Sequence, residues 1–383
     1  MAEYYNNQFG GGRNRNKRDS SSIWLTLLDV VMMAISVATA LTLLIIFVGR
    51  FFEPETLWYF SLAGLVAPIV YMVAIALMLY WIIRWKWKMF LFTTVFVVLG
   101  FPFVSLYCKI NIGKEYGEPR YERGNIKILS YNVRYMYDDE GLKNSTDSIL
   151  AFINEVRPDI ICLQELPTQG AQYDKVMSSL SKYHHSKIYP EADDGVVCFS
   201  KYRIIRSDSI VGFCDTGKGI WADLKINDDT VRLYNMHLQT TSIKPEERDY
   251  INNKRFLESA DSGRVQKFAN MAERLFENSC KRAHQANTLR HDMAHCRYPM
   301  IVCGDFNDIP MSYAYRTIAG KLTDTFSEQG EGYVHTFRGF FGLLRIDYIL
   351  VSKQFQTLSY EVVPTDLSDH LPVISRVILK NDK

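Results

Sequence analysis

The order of apolar and polar positions divides the chain into two regimes. From Ile23 to Val48 almost every position is apolar, and Asp29 is the single ionisable residue. At 1.5 Å rise per helical residue this run exceeds the roughly 20 residues that a bilayer core requires. A second run spans Leu57 to Ile83, with Pro68 as a kink. A third, shorter run spans Met89 to Tyr107, with Gly100 and Pro102 inside it. Its apolar residues show no 3.6-residue stripe, which favours a membrane helix over its alternative, the core helix of a soluble domain. The pattern predicts three transmembrane helices, at about 23–49, 57–83 and 89–107. Trp58, Tyr59, Trp81, Trp85 and Trp87 fall at the run ends, where amphipathic rings prefer the interface. A signal peptide fits less well, because the first run is long, lacks a small-residue cleavage site and is followed by further apolar runs.

Beyond residue 125 the pattern shortens. Ile126 to Val133 alternates as a strand, and Asp147 to Val156 reads as an amphipathic helix. Asp159–Leu163, Gly195–Ser200, Val231–His237, Met300–Cys303, Arg345–Val351 and Pro372–Leu379 read as further strands. Lys254 to Arg282 has helical spacing. Many strands and few long helices predict an α/β domain built on two packed sheets. Residues 1–22 read as a disordered basic tail, 23–107 as the membrane region, 108–125 as a linker and 126–383 as the domain. The 242–298 stretch is long, polar and unlike the rest, and is expected to be an insertion with some helix. Its place between His237 and Asp305 suggests a lid.

Charge adds an orientation. The net formal charge of +2 hides a split: the tail carries +2, the membrane region +1 and the remainder −1. The tail (Arg13, Arg15, Lys17, Arg18) and the 84–88 link (Arg84, Lys86, Lys88) are basic, whereas the 49–56 link is not. Cationic loops stay cytoplasmic, which places the N-terminus inside the cell (inner or plasma) membrane and the domain outside the cytoplasm. Lys109, Lys114, Arg120 and Arg123 after the third run count against this orientation. A domain near neutrality lacks the basic excess of a typical polyanion binder. Cys162, Cys198 and Cys303 fall in expected core strands, and Cys280 and Cys296 could pair in an oxidising compartment. No spacing suggests zinc.

The chemistry is concentrated where apolar runs end. Met300–Cys303 reads as a buried strand that stops at Gly304, with Asp305 and Asn307 just past its end. Other runs end on Asn132 (Leu-Ser-Tyr-Asn-Val-Arg), Glu165 (Cys-Leu-Gln-Glu), His237 (Tyr-Asn-Met-His-Leu), Asp347 (Arg-Ile-Asp-Tyr-Ile) and Asp369-His370 (Ser-Asp-His-Leu-Pro). Four carboxylates, two amides and two histidines form an oxygen-rich set suited to Mg²⁺ or Mn²⁺. Such a cation neutralises phosphoryl and leaving-group charge, and a carboxylate can fix the tautomer of a phosphate-binding histidine. The residues point to metal-assisted hydrolysis of a phosphoester. Each has a bland alternative, from a turn cap at Asn132 to a satisfied core histidine at His237 or an Asp347–Arg345 pair. Arg134, Tyr234, Arg338 and Arg345 lie near the motifs, as substrate contacts or as ion-pairing and packing residues.

These ordered motifs resemble the endonuclease/exonuclease/phosphatase (DNase I-like) superfamily, in a membrane-anchored, bacterial-type form, from about Ile126 to Leu379. The resemblance implies a four-layered αββα sandwich preceded by the three helices, with the site at one edge of both sheets. It implies Glu165 as the principal Mg²⁺ ligand, with Asn132 beside it and Asp369 contributing. It implies that Asp305 aligns or deprotonates the attacking water and that Asn307 holds that water or a phosphate oxygen. His370 would bind the scissile phosphate, Asp347 would orient His370, and His237 would be a second phosphate contact.

Substrate does not follow from fold. Membrane tethering favours a lipid-borne or other extracytoplasmic phosphoester, with the bilayer as the one partner and no protein partner expected. A membrane-anchored nuclease is the alternative. An inactive binding module is a third reading, and the joint presence of Glu165, Asp305, Asp347, Asp369 and His370 argues against it.

Overall fold

The computed structural model describes residues 15–56, 64–109, 124–186, 194–213, 218–241 and 262–380. The start of the expected second span, most of the expected linker and residues 242–261 of the expected insertion lie outside them.

The chain forms two compact units. The helical unit is built from α1 (Arg15–Gly49), α2 (Ala67–Ile83) and α3 (Trp87–Val104). α1 begins within the stretch expected to be a disordered tail, so residues 15–22 are helical. Two helices, Ile23–Gly49 and Gly64–Ile83, are long and apolar enough to cross a membrane, and Trp87–Pro102 is a shorter apolar helix. Asp29 is paired: Arg84 donates to both of its oxygens at 2.9 Å, and the Tyr80 hydroxyl donates at 2.7 Å. Trp81 Nε1 donates to Ser36 Oγ at 2.9 Å, so α1 and α2 are joined by polar contacts as well as by apolar packing.

The second unit is an α/β sandwich. Its first six-stranded sheet has the order β13 (Phe355–Val362), β14 (Val373–Leu379), β2 (Asn125–Asn132), β3 (Ile160–Pro167), β5 (Asp194–Ser200) and β4 (His184–His185). The second has the order β10 (Thr323–Asp324), β12 (Asp347–Val351), β9 (Met300–Asp305), β8 (Asp229–His237), β7 (Lys218–Ile226) and β6 (Arg203–Ser209). A short pair, β1 (Cys108–Lys109) with β11 (Gly332–Tyr333), stands apart.

Period-2 alternation decides which side chains lie between the sheets. Ile126, Ile128, Ile160, Cys162, Val196 and Cys198 face Ala222, Leu224, Leu233, Ile301, Cys303 and Ile349 across a fully buried core. The outer face of the first sheet is covered by α4 (Thr146–Val156) and α5 (Ala171–Ser179), through Ile149, Leu150, Ile153 and Val176. The outer face of the second is covered by α6 (Ser262–His295) and α7 (Tyr313–Ala319). The order of layers is therefore helix, sheet, sheet, helix.

α6 occupies much of the 242–298 stretch expected to carry some helix. Ala286, Leu289 and Met293 are buried against Tyr234, Met236, Val302 and Tyr348, so this half of the stretch is an outer layer of the core, not a lid. Cys280, within this helix, and Cys296, just past its end, are both free. Sixteen helical residues separate them by ~24 Å, which excludes a disulfide between them.

Candidate active site

The strand directions carry the motif residues to one edge. β2 and β3 are parallel, as are β8 and β9, while β12 and β14 run antiparallel to their neighbours. The C-terminal ends of β2, β8 and β9 therefore meet the N-terminal ends of β12 and β14. Register places His237 and Asp347 on either side of Asp305.

Gly304 differs from expectation in an instructive way. β9 does not stop there but continues to Asp305. The glycine adopts φ +141°, and a Cβ would lie 2.0 Å from the Met236 carbonyl oxygen. Close approach of the parallel neighbour excludes any side chain. Glu165 (φ 53°) and Asn307 (φ 51°) also hold left-handed backbone, and Glu165 lies where the β3–β5 register shifts. A bulge there re-aims the side chain, and such backbone costs about 1–3 kcal/mol at a non-glycine residue.

Asp305 is the hub, completely buried. Its Oδ2 accepts from Asn132 Nδ2 at 3.1 Å and from Asn307 Nδ2 at 3.2 Å, and its Oδ1 accepts from the Asn307 backbone N–H at 2.7 Å. Asn132 Nδ2 also lies 3.1 Å from Glu165 Oε1, so one amide bridges carboxylates of the two sheets. His237 Nε2 lies 3.4 Å from Glu165 Oε1 and 3.6 Å from Asp305 Oδ2. His370 Nε2 lies 3.6 Å from the same Asp305 oxygen, and its Nδ1 is 2.9 Å from Asp347 Oδ2. Asp347 is itself buried, and its backbone N–H donates to Thr336 Oγ1 at 3.0 Å.

Electrostatics follow from this crowding. Burial raises the Asp305 carboxyl to about 6, with the nearby histidines opposing the rise. Burial also raises Glu165, against the hydrogen bond from Asn132. Burial alone would lower His370, but the carboxylates of Asp347 and Asp305 outweigh it and hold the imidazole well above its usual value. His237 is lowered by burial, and among the described residues neither ring nitrogen has a hydrogen-bond partner.

Asn132, Glu165, His237, Asp305, Asn307, Asp347 and His370 thus meet in one cluster. Asp369 borders this cluster, where its charge acts on both Glu165 and His370, and its Oδ2 lies 3.5 Å from Arg134 Nε. Among the described residues, Asp305, Asp347 and His370 are a trio whose acidic and histidine ligand atoms gather within 4.8 Å. That trio already holds the Asp347–His370 hydrogen bond. On the Glu165–Asp305 side burial raises both carboxylates, a strain that a hard divalent cation would offset, while the Asn132 amide oxygen accepts from the Arg134 backbone N–H at 3.0 Å.

The flanking residues divide. Arg345 is fully buried and pairs with Asp324 at 2.8 Å, not with Asp347. Tyr234 donates to Asp292 at 2.7 Å, away from the site. Arg338 pairs with Asp139 at 2.6 Å. Sequence reasoning missed Lys218, which opposes His237 in register and pairs with Asp194, whose other oxygen accepts from Tyr135 at 3.1 Å. It also missed the buried Gln164–Asn235 bond of 2.7 Å, which joins β3 to β8 directly beneath the site. Asn235 further donates to the carbonyls of Leu163 and Val197, at 2.9 Å each. A polar residue in an apolar strand was the available signal.

Comparison with known proteins fits this geometry. Residues 129–370 match the model of the Endonuclease/Exonuclease/phosphatase family. Residues 29–107 match a domain of unknown function (DUF8431). No curated protein matches the chain in sequence. Among solved structures, an endonuclease/exonuclease/phosphatase from Bacteroides vulgatus superposes with a TM-score of 0.51 at 20% identity, covering 67% of this chain and 100% of that one. A family member from Bacteroides thetaiotaomicron gives 0.50 at 17% identity, covering 68% of this chain and 96% of that one.

Proposed function

Since the chain belongs to the endonuclease/exonuclease/phosphatase family, whose members hydrolyse phosphoester bonds, we propose that it is a membrane-anchored phosphoesterase dependent on Mg²⁺ or Mn²⁺. Its proposed substrate is a phosphodiester or phosphomonoester carried by a lipid or another extracytoplasmic molecule. The observation that carries the reading is the convergence of motif residues from both sheets on Asp305.

Glu165 and Asn132 would hold the cation, with Asp369 contributing from its place beside Arg134. When bound, the cation supplies charge neutralisation at the phosphoryl and leaving oxygens. Asp305 would orient the attacking water and take its proton as the new P–O bond forms. Its carboxyl at about 6 is suited to a base working near neutral pH. The charged His370, fixed by Asp347, holds a phosphoryl oxygen and has a proton to give as the P–O bond to the leaving group breaks. Neutral His237 and Asn307 make the remaining phosphate contacts.

A lipid-borne phosphoester is preferred to nucleic acid because the flanking cations have acidic partners. Arg134, Arg338 and Lys218 face Asp369, Asp139 and Asp194. Such pairs leave little charge for a polyanion groove. The basic tail and 84–88 link support a cytoplasmic N-terminus and an extracytoplasmic domain.

The test is Mg²⁺-dependent hydrolysis by the full chain in lipid nanodiscs, on bis-p-nitrophenyl phosphate, a phospholipid panel and plasmid DNA, with His370→Ala as control. Lipid turnover lost in the variant is expected. DNA nicking lost in the variant would replace the substrate class, and inactivity on all three would reject the enzyme reading in favour of a binding module.

A further inference from the structure

We propose that the segment between the first two apolar helices is a strap docked on the catalytic domain, and that this docking fixes three membrane crossings. The inference rests on the membrane reading above and not on its substrate.

The strap is residues 50–56 with the turn Gly64–Val66 leading into α2. Both pieces cluster with the catalytic domain rather than with the helical unit. Asn287 Nδ2 of α6 donates to Glu53 Oε1 at 2.9 Å, and the Tyr313 hydroxyl of α7 donates to the same oxygen at 3.1 Å. The Arg316 guanidinium stacks over Phe51 at 4.2 Å, a cation–π distance. Arg50 reaches Met311 Sδ at 3.8 Å, and Pro54 is buried. A Cβ built on Gly64 lies 3.7 Å from Met311 Cβ and 3.2 Å from Ile309 Cδ1. The strap therefore closes on the loop and helix that follow Asp305 and Asn307.

The segment leaving α3 docks on the same domain. The buried Arg345 donates to the Leu106 carbonyl at 2.9 Å, Tyr107 is buried, and Cys108–Lys109 pairs with β11. Arg345 lies two residues before Asp347, so the strands bearing Asp305 and Asp347 are each tied to a segment that emerges from an apolar helix.

Chain connectivity then limits the topology. A folded water-soluble domain occupies one side of a bilayer. The end of α1, the start of α2 and the end of α3 all attach to that domain, so all three lie on its side. α2 and α3 must therefore cross and return, and α1 arrives from the far side. At 1.5 Å per residue the 18 residues of α3 span ~27 Å, close to the hydrocarbon thickness. This arrangement puts the basic tail and the Arg84–Lys88 link together, opposite the domain. Docking sets which segments share a face of the bilayer, and the basic residues set which face is cytoplasmic.

The test uses the full chain in bacterial cells. The pair Gly64→Cys with Met311→Cys meets the 3.5–4.5 Å Cβ separation of a disulfide. Mild oxidation should give a linked 64–311 peptide by mass spectrometry in the double variant, abolished by reductant and lacking in either single variant. In parallel, Glu55→Cys and Lys321→Cys should react with a membrane-impermeant maleimide in intact spheroplasts, above the background of the parent protein. Lys86→Cys should react only after permeabilisation. A double variant with no linked peptide would overturn the docking. Labelling of Lys86→Cys on the same side as Lys321→Cys would overturn the crossings. Either failure with catalysis retained leaves the phosphoesterase reading standing, so the two claims separate.

Discussion

His370 and His237 flank the same oxygen from opposite sheets. Each Nε2 lies 3.6 Å from Asp305 Oδ2, yet their charge states are driven apart. His370 is buried but hydrogen-bonded through Nδ1 to Asp347, and the paired carboxylates raise it. His237 is equally enclosed, makes no hydrogen bond to a carboxylate among the described residues, and is lowered by burial. Proximity to acid is common to both, so a carboxylate at hydrogen-bond distance is what decides the charge of a buried imidazole here. The result is a proton-bearing side and a neutral side around one position where a phosphoryl group would sit.

The largest expected effect breaks this contrast directly. His370→Ala removes the proton donor and should lower kcat/KM by about 10³-fold or more, within the range for general acid–base groups. His237→Ala removes a neutral contact and should cost about 10–100-fold, mainly in KM. Steady-state kinetics on an activated phosphodiester checks both. Equal losses would mean that the two imidazoles do the same work.

Asp347→Asn is the next cut, because it keeps the shape of the His370 hydrogen bond and deletes its charge. The His370 pKa should fall, and the alkaline limb of the pH–rate profile should move to lower pH. Activity at pH 8 should drop about 10²-fold and recover in part at pH 6. A loss independent of pH would show that Asp347 only positions the ring.

These residues were legible in the sequence because chemistry sits where an apolar strand ends, and strand ends are visible as changes of pattern. The order of Asn132, Glu165, His237, Asp305, Asp347 and His370 could be read without knowing how the strands pair. Their partners could not. Lys218 and Asp194 open strands rather than end them, and only the register of the β7–β8 hairpin brings Lys218 opposite His237. β6 and β13 are edge strands that carry polar side chains on poorly buried faces, so no clean alternation marked them. The Ser262–His295 helix read as polar overall, since only a narrow stripe reaches the core. Gly304 was recognised as special but for a turn, whereas a neighbouring carbonyl demands it.

Gln164 and Asn235 each stand out as polar residues in apolar strands, but their pairing depends on how the two sheets pack, and the pair sharpens the comparison by supporting both sides of the site at once. It is fully buried between the sheets, where Asn235 also satisfies two backbone carbonyls. Asn235→Leu should destabilise the domain by about 2–3 kcal/mol, because each buried group left without a partner costs about 1–3 kcal/mol. Thermal unfolding of the full chain in detergent checks this. Gln164→Leu with Asn235→Leu should recover part of the loss, since two apolar partners leave no orphaned amide.

The smallest effect separates the carboxylates from the histidines by pH and metal. Asp305 has its folded value raised from 3.8 to about 6, so the folded state binds its proton more tightly. Its contribution therefore favours folding at low pH and is lost as pH rises from about 4 to 6. Glu165, also raised by burial, acts in the same direction. The raised His370 adds stability that is full below its unfolded value near 6.5 and is lost as pH rises through its folded value. All three groups make the cation-free protein less stable toward alkaline pH. A divalent cation must displace the carboxyl protons, so it opposes this trend only where they are already gone. The Tm increase on adding Mg²⁺ should be a few degrees at pH 7.5 and near zero at pH 5. Glu165→Gln should abolish it, whereas His237→Ala should retain most of it. A Tm shift of the same size at both pH values would place the cation away from Asp305 and Glu165, and would remove the reason their carboxyls are held together.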